Sequence, residues 1–295
     1  MALDGLVVPL VTLFDDQGGL DLPKNSRFTR SLLDEGVLHV WALSPWAETA
    51  GLTPSERSSL LEKVCESGTF YSDTWASLPP LSGEELLQAA DDTEAAGVSV
   101  LVVEFPAGAT AETLRNHLRA LKGRTQAPLM GFLAPSGEPS SLTPPLAQEL
   151  ARADLLQGLV DFGPDPGSVA RFRDGASERF SILSGRTSQI YGDLRSGARG
   201  AALPVANALP KWGLALIEAA RKDEEARGQE LQQLGEQLER LAQAMGMPAG
   251  LKALAHALRE TDEGYRPPTS APSASSREAL TQALAPLQGS LRDLL

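Results

Sequence analysis

Short apolar runs alternate with longer stretches in which apolar residues recur every three or four positions, and the alternation continues to about Ala220. Leu6 to Thr12 is a β-branched run broken by Pro9, and Leu22 to Glu35 has a helical period that Gly36 stops. Val37 to Leu43 reads as the second strand. Thr53-Pro54-Ser55-Glu56 then opens a helix as a capping box with proline in its first turn. A third strand falls around Thr74 to Leu78, a helix runs from Ser82 or Gly83 to Ala96, and Val98 to Val103 is a fourth strand. Thr110 to Leu121 is helical, Pro128 to Leu133 extended and Pro145 to Ala153 helical. Leu156 to Gly163 gives the sixth strand, and Ser168 to Arg173 a short helix. Phe180 to Leu183 and Arg199 to Leu203 are strands seven and eight, separated by a helical segment from Ser188 to Arg195.

Strict β-then-α alternation implies parallel strands joined by right-handed crossovers. Eight such units of about 25 to 30 residues fit a closed (β/α)8 TIM barrel, an α/β fold, better than an open sheet. No G-x-G-x-x-G turn follows the first strand, which counts against a dinucleotide-binding sheet. The boundary of the barrel is placed at 1–222, and residues 223–295 read as a helical extension packed on its side. There Leu231, Leu234, Leu238, Leu241 and Met245 form one apolar stripe on a long helix that Gly246 and Pro248 end. A second helix runs from about Ala249 to Arg259. A Pro/Ser-rich loop from Pro267 to Ser276 leads to a last helix from Arg277 to Leu294.

Composition narrows the class. At 295 residues, with 42% hydrophobic and 22% charged content, the chain can bury a large core. No apolar run approaches the roughly 20 residues of a membrane span, and Met1 to Gly5 lacks a basic signal-peptide region, so a cytoplasmic protein without a membrane partner is expected. The lone Cys65 agrees with a reducing compartment. A net charge of −12 argues against nucleic acid and points to solubility. His39, His117 and His256 have no zinc-type spacing, and neither a metal nor a cofactor is expected.

The order of elements and the residues at their ends resemble the dihydrodipicolinate synthase and N-acetylneuraminate lyase family, lysine-dependent aldolase barrels with three C-terminal helices. Gly5 to Phe14 with Asp16, Gly18 and Asp21 is similar to that family's opening, as is Leu52 to Arg57 after the second strand. Leu183-Ser184-Gly185 resembles the end of its seventh strand, and Gly197-Ala198-Arg199-Gly200 with Asn207 and Pro210 its eighth strand and helix. Leu251-Lys252-Ala253-Leu254 and Gly264-Tyr265-Arg266-Pro267-Pro268 resemble its tail.

The resemblance stops at the catalytic motifs. The family's sixth strand carries G-[IV]-K-D, whose lysine forms a Schiff base with a keto acid; here the run is Gly158-Leu159-Val160-Asp161. A Schiff base needs a primary amine, and valine has none. The family's proton-relaying tyrosine falls on Phe132, within Gly131-Phe132-Leu133-Ala134-Pro135. Its carboxylate-binding loop G-T-T-G-E reads Ser44-Pro45-Trp46-Ala47-Glu48, in which only Glu48 is kept. Glu104-Phe105-Pro106-Ala107 carries no tyrosine, and Ser136-Gly137-Glu138 lacks the arginine often found there. Lys24, Lys63, Lys122, Lys211, Lys222 and Lys252 read as solvated surface charge, with Lys211 the one candidate for a substitute amine.

Other groups remain for the barrel mouth: Thr12, Ser44, Glu48, Glu104, Asp161, Ser184, Arg186 and Asn207, with Trp46, Phe132 and Val160 completing the candidate pocket. Glu48, Glu104 and Asp161 together would suit Mg²⁺. On the other reading Glu48 and Asp161 are hydrogen-bonding scaffold, Glu104 pairs with Arg186 or faces solvent, and Trp41 and Trp46 are core or interface filler. The catalytic residues are left unassigned. The first functional reading is a member of the family degenerate at its active site, acting as a small-molecule binder or a structural or regulatory partner, with a small carboxylate or keto acid as ligand. The alternative is a lyase of altered, metal-assisted chemistry on such a compound. A homo-oligomer, dimer or tetramer, is implied by the resemblance, and the leucine stripe serves either intramolecular packing or that interface.

Overall fold

The computed structural model describes residues 3–79, 81–105, 108–135 and 142–295. The barrel elements follow in strict order: β1 (Gly5–Pro9), α1 (Leu22–Asp34), β2 (His39–Ala42), α2 (Pro54–Ser67), β3 (Asp73–Ser77), α3 (Gly83–Ala95), β4 (Val100–Glu104) and α4 (Ala111–Lys122). Then come β5 (Leu129–Leu133), α5 (Pro144–Arg152), β6 (Gly158–Asp161), α6 (Ser168–Arg173), β7 (Ser181–Ser184), α7 (Ile190–Arg195), β8 (Gly200–Ala202) and α8 (Pro210–Arg221). All neighbours pair in parallel, and β8 returns to β1, so the sheet closes as a TIM barrel. The loop segments Pro106-Ala107 and Ser136-Gly137-Glu138 lie outside the described residues.

Local chemistry sets the helix ends. Asp21 accepts a hydrogen bond from the Lys24 backbone N–H at 2.9 Å to start α1, and Gly36 ends its turn at φ +95°. At α2 the Thr53 hydroxyl accepts from the Glu56 N–H, while the Glu56 carboxylate accepts from the Thr53 N–H at 2.9 Å.

Strand residues alternate between two cores. Val7, Trp41, Trp75, Val100, Val102, Met130, Phe132, Val160, Leu183 and Ala202 point into the barrel and fill it, with Leu3 and Phe162 at its ends. Their neighbours point outward into the larger layer between sheet and helices. Val160 therefore faces the axis and Asp161 faces away from it.

Beyond the barrel lie α9 (Glu225–Ala244), α10 (Ala249–Arg259), α11 (Ala274–Leu284) and the short α12 (Gln288–Leu291). Leu231, Leu234 and Leu238 are buried within the chain, and the Trp212 indole of α8 donates to the Leu231 carbonyl at 2.6 Å. The stripe is thus used for intramolecular packing. The single last helix expected from Arg277 to Leu294 is divided instead: α11 stops at Leu284 because Pro286 offers no N–H and its ring crowds the preceding turn. Among the described residues no helix is long and apolar enough to cross a membrane.

Candidate functional site

The C-terminal mouth of the barrel is closed by rings. Phe132 on β5 sits opposite Val160 on β6, and Val160 opposite Leu183 on β7. Val160 is fully buried. Above it Phe162 stacks against Trp46 with centroids 4.7 Å apart, and against Phe132 at 5.8 Å. Trp41 meets Phe132 edge-to-face at 5.6 Å and Trp46 at 6.4 Å, while its indole N–H donates to the Ser77 hydroxyl at 3.0 Å. Such pairs add about 0.5–1.5 kcal/mol each beyond the area they bury. Gly185 lies directly under the Phe162 ring, where any Cβ would collide with it. The glycine of the Leu183-Ser184-Gly185 run thus serves the closure of the mouth.

The small polar residues of the mouth hold loops in place. Thr12 donates its hydroxyl hydrogen to the Ala47 carbonyl at 2.7 Å. Ser44, fully buried, donates to the Leu10 carbonyl and accepts from the Trp46 N–H, each at 3.3 Å. Asn207 bridges the Pro9 and Pro204 carbonyls and accepts from the Val11 N–H. These contacts fix the loops after β1, β2 and β8 to one another.

Glu48 points away from the axis, into a buried ion pair with Lys252 of α10 at 2.5 Å. The Lys252 amine also donates to the Gly264 carbonyl at 2.8 Å and lies 5.0 and 5.2 Å from the Phe14 and Tyr265 ring centroids. Its side chain has no exposed surface, so the expectation of a solvated lysine is corrected here. Burial pushes its pKa down, against the upward pull of Glu48. The pair also secures Glu48 in a left-handed backbone conformation, φ +55°. Lys211 donates to the Leu295 carbonyl on the outside of the protein. The other four amines meet groups outside the barrel: Lys24 the Phe14 and Glu263 carbonyls, Lys63 Glu66, Lys122 the Ala127 carbonyl and Lys222 Glu218.

Asp161, Ser184 and Arg186 gather on the outer side of β6 and β7. Asp161 accepts from the Ser168 hydroxyl and from the Gly163 N–H at 2.9 Å. Arg186 lies 3.5 Å from Asp161 and 2.8 Å from Asp193, whose carboxylate also accepts from Ser184 at 2.5 Å. Burial pushes the Asp161 carboxyl up, and the Ser168 hydroxyl and Arg186 pull it back. This network ties the β6 and β7 loops to α6 and α7.

Glu104 has a different setting. It does not pair with Arg186, whose guanidinium is taken by Asp161 and Asp193, and it is half-buried. It lines a pocket of about 400 Å³ off the barrel axis with Arg57, Ser77 and the apolar Leu43, Leu78 and Pro79. Arg57 donates to the Thr49 carbonyl at 3.0 Å, and its buried Nε has no partner among the described residues. Burial raises the Glu104 pKa above its ordinary value of 4.5. The folded chain then holds a proton that the unfolded chain has released, so Glu104 lowers stability as pH rises from 4.5 through its folded pKa. Glu104→Gln is expected to melt above the wild type at pH 7, with the difference closing below pH 4.5; a constant difference across that range would contradict this origin.

The three acidic candidates therefore occupy three environments. Among the described residues no group of three or more His, Cys, Asp or Glu side chains is placed to hold a metal ion. Arg57 and Phe162 were not among the expected site residues. Phe162 was accessible through strand parity, two positions beyond Val160; Arg57 carried no local signal.

Known proteins place the chain in a family. It is 27% identical over 292 residues to an uncharacterized DapA-like lyase of Halobacterium salinarum, covering 97% of this chain and 95% of that protein. It is 23% identical over 284 residues to the 4-hydroxy-tetrahydrodipicolinate synthase of Methylococcus capsulatus, covering 96% and 98%. The crystal structure of the dihydrodipicolinate synthase DapA-2 of Bacillus anthracis superposes with a TM-score of 0.89 at 18% identity, over 96% of this chain and 98% of that one, a likeness of fold. The model of the dihydrodipicolinate synthetase family matches residues 2–287, nearly the whole chain, which therefore belongs to that family.

Proposed function

We propose that this chain has left the Schiff-base lyase chemistry suggested by the names of its relatives and works as a binder of a small carboxylate or keto acid. One observation carries the reading: the side chain facing the axis from β6, where the resemblance places the family's amine, is the isopropyl group of Val160 under Phe132 and Phe162. No lysine replaces it, since each of the six amines meets other groups elsewhere.

The off-axis pocket supplies the binding chemistry. Arg57 lines this pocket with an Nε–H that has no partner among the described residues, and a guanidinium is the side chain best suited to a carboxylate. Glu104 beside it accepts a hydrogen bond from a ligand hydroxyl when ionised and donates one when protonated, and the apolar walls fit a short carbon chain. Titration calorimetry with pyruvate and a series of short carboxylates tests this. Binding that Arg57→Leu abolishes and Phe132→Leu leaves intact is expected. Absence of binding across the series, or loss in the Phe132 variant alone, would overturn the pocket assignment.

A further inference from the structure

Ser77 and Glu104 line the Arg57 pocket from neighbouring strands. Each ends its strand two positions after a residue that fills the barrel, Trp75 in β3 and Val102 in β4, so strand alternation puts both side chains on the axis-facing side. Ser77 is level with Val102, which leaves Glu104 one diagonal step further toward the mouth.

Their hydrogen-bonding states are opposite. The buried Ser77 hydroxyl accepts from the Trp41 indole N–H at 3.0 Å, and its own hydrogen has no acceptor among the described residues. Trp41 is itself packed edge-to-face on Phe132, so the indole holds Ser77 as an acceptor on one side and leaves its donor for the pocket. The half-buried Glu104 carboxylate has neither a cation nor a hydrogen-bond donor among the described residues. Ionised, it only accepts. A ligand hydroxyl satisfies both residues at once, donating to Glu104 and accepting from Ser77. A keto oxygen has lone pairs alone: it accepts from Ser77 but turns electron density toward the Glu104 carboxylate, which loses water and gains no donor.

We infer that the pocket selects a short hydroxy acid over the keto acid of the same carbon skeleton, Arg57 taking the carboxylate while Ser77 and Glu104 read the second oxygen. The inference rests on the carboxylate-binding reading above and narrows its ligand class. Arg57 is the only other charged residue among those that line the pocket, so no second cation offsets Glu104 when a keto oxygen faces it. The Leu43, Leu78 and Pro79 walls offer no side-chain hydrogen bond, which leaves the oxygen to be read by this pair. A hydrogen bond to a charged acceptor, made with one ligand and missing with the other, corresponds to about tenfold to a hundredfold in affinity.

Titration calorimetry at pH 8, chosen to keep Glu104 ionised, tests it on the wild type and on Glu104→Gln. The probes are two matched pairs, lactate against pyruvate and 3-hydroxybutyrate against acetoacetate. The wild type is expected to bind the hydroxy member of at least one pair about tenfold or more tightly than its keto partner. The glutamine amide donates to a keto oxygen as readily as it accepts from a hydroxyl, so in Glu104→Gln the two members of that pair should bind about equally. A melting temperature no lower than that of the wild type shows that the variant is folded. Keto members bound as tightly as hydroxy members in both pairs by the wild type would overturn the selection and leave the carboxylate pocket standing. A preference undiminished in Glu104→Gln would overturn the part given to Glu104. Absence of binding by all four probes would overturn the pocket itself, and this inference with it.

Discussion

Lys252→Ala is expected to lower the unfolding free energy by about 3–5 kcal/mol, the usual penalty for removing one partner of a buried ion pair. The reason is what the substitution leaves behind. Glu48 is 11% exposed in its side chain, its Oε1 has no partner among the described residues, and without Lys252 its Oε2 loses its donor. The Gly264 carbonyl loses one as well, and the Phe14 and Tyr265 rings lose the cation between them. The destabilisation originates from a stranded carboxylate, so Glu48→Gln/Lys252→Met should recover most of it. Urea denaturation of the single and double variants measures both. A loss below about 1 kcal/mol, the range of a solvated surface pair, would contradict the buried assignment.

Val160→Lys is expected to be destabilised by at least about 4 kcal/mol and to gain no lyase activity. An ammonium at this position would sit among Met130, Phe132, Phe162 and Leu183 in the interior core. The desolvation of an unpaired charge there amounts to several kcal/mol. Activity should not return, because an amine alone lacks the proton relay that the family draws from a tyrosine, and Phe132 has no hydroxyl. Equilibrium unfolding with a pyruvate-dependent assay checks both halves. A variant of wild-type stability that turns over a keto acid would show that the mouth is open and its machinery intact.

The barrel itself was readable from the alternation of apolar runs with amphipathic stretches and from local marks at several of their ends. The short apolar strand runs, the Thr53–Glu56 box and the Gly36 stop after α1 are local, and local signals survive in a linear reading. Pro286 was an equally local signal that divides the last helix. The mouth was only partly readable. Once Val160 is taken as facing the axis, a strand's alternation sends Asp161 outward, and the same parity brings Phe162 back over the opening. Lys252 could not be recognised as buried, because its burial depends on Glu48, Phe14 and Tyr265, which only the folded chain brings together. Arg57 and Glu104 share a pocket for the same reason: one begins a helix and the other ends a strand two units later.

Under the proposed function no amine in this barrel captures a keto acid. Incubation with pyruvate followed by borohydride and intact-mass measurement tests it most directly, because reduction freezes any imine as a stable adduct. An unmodified mass is expected. A specific, stoichiometric pyruvate adduct, mapped to any one of the six lysines, would contradict it.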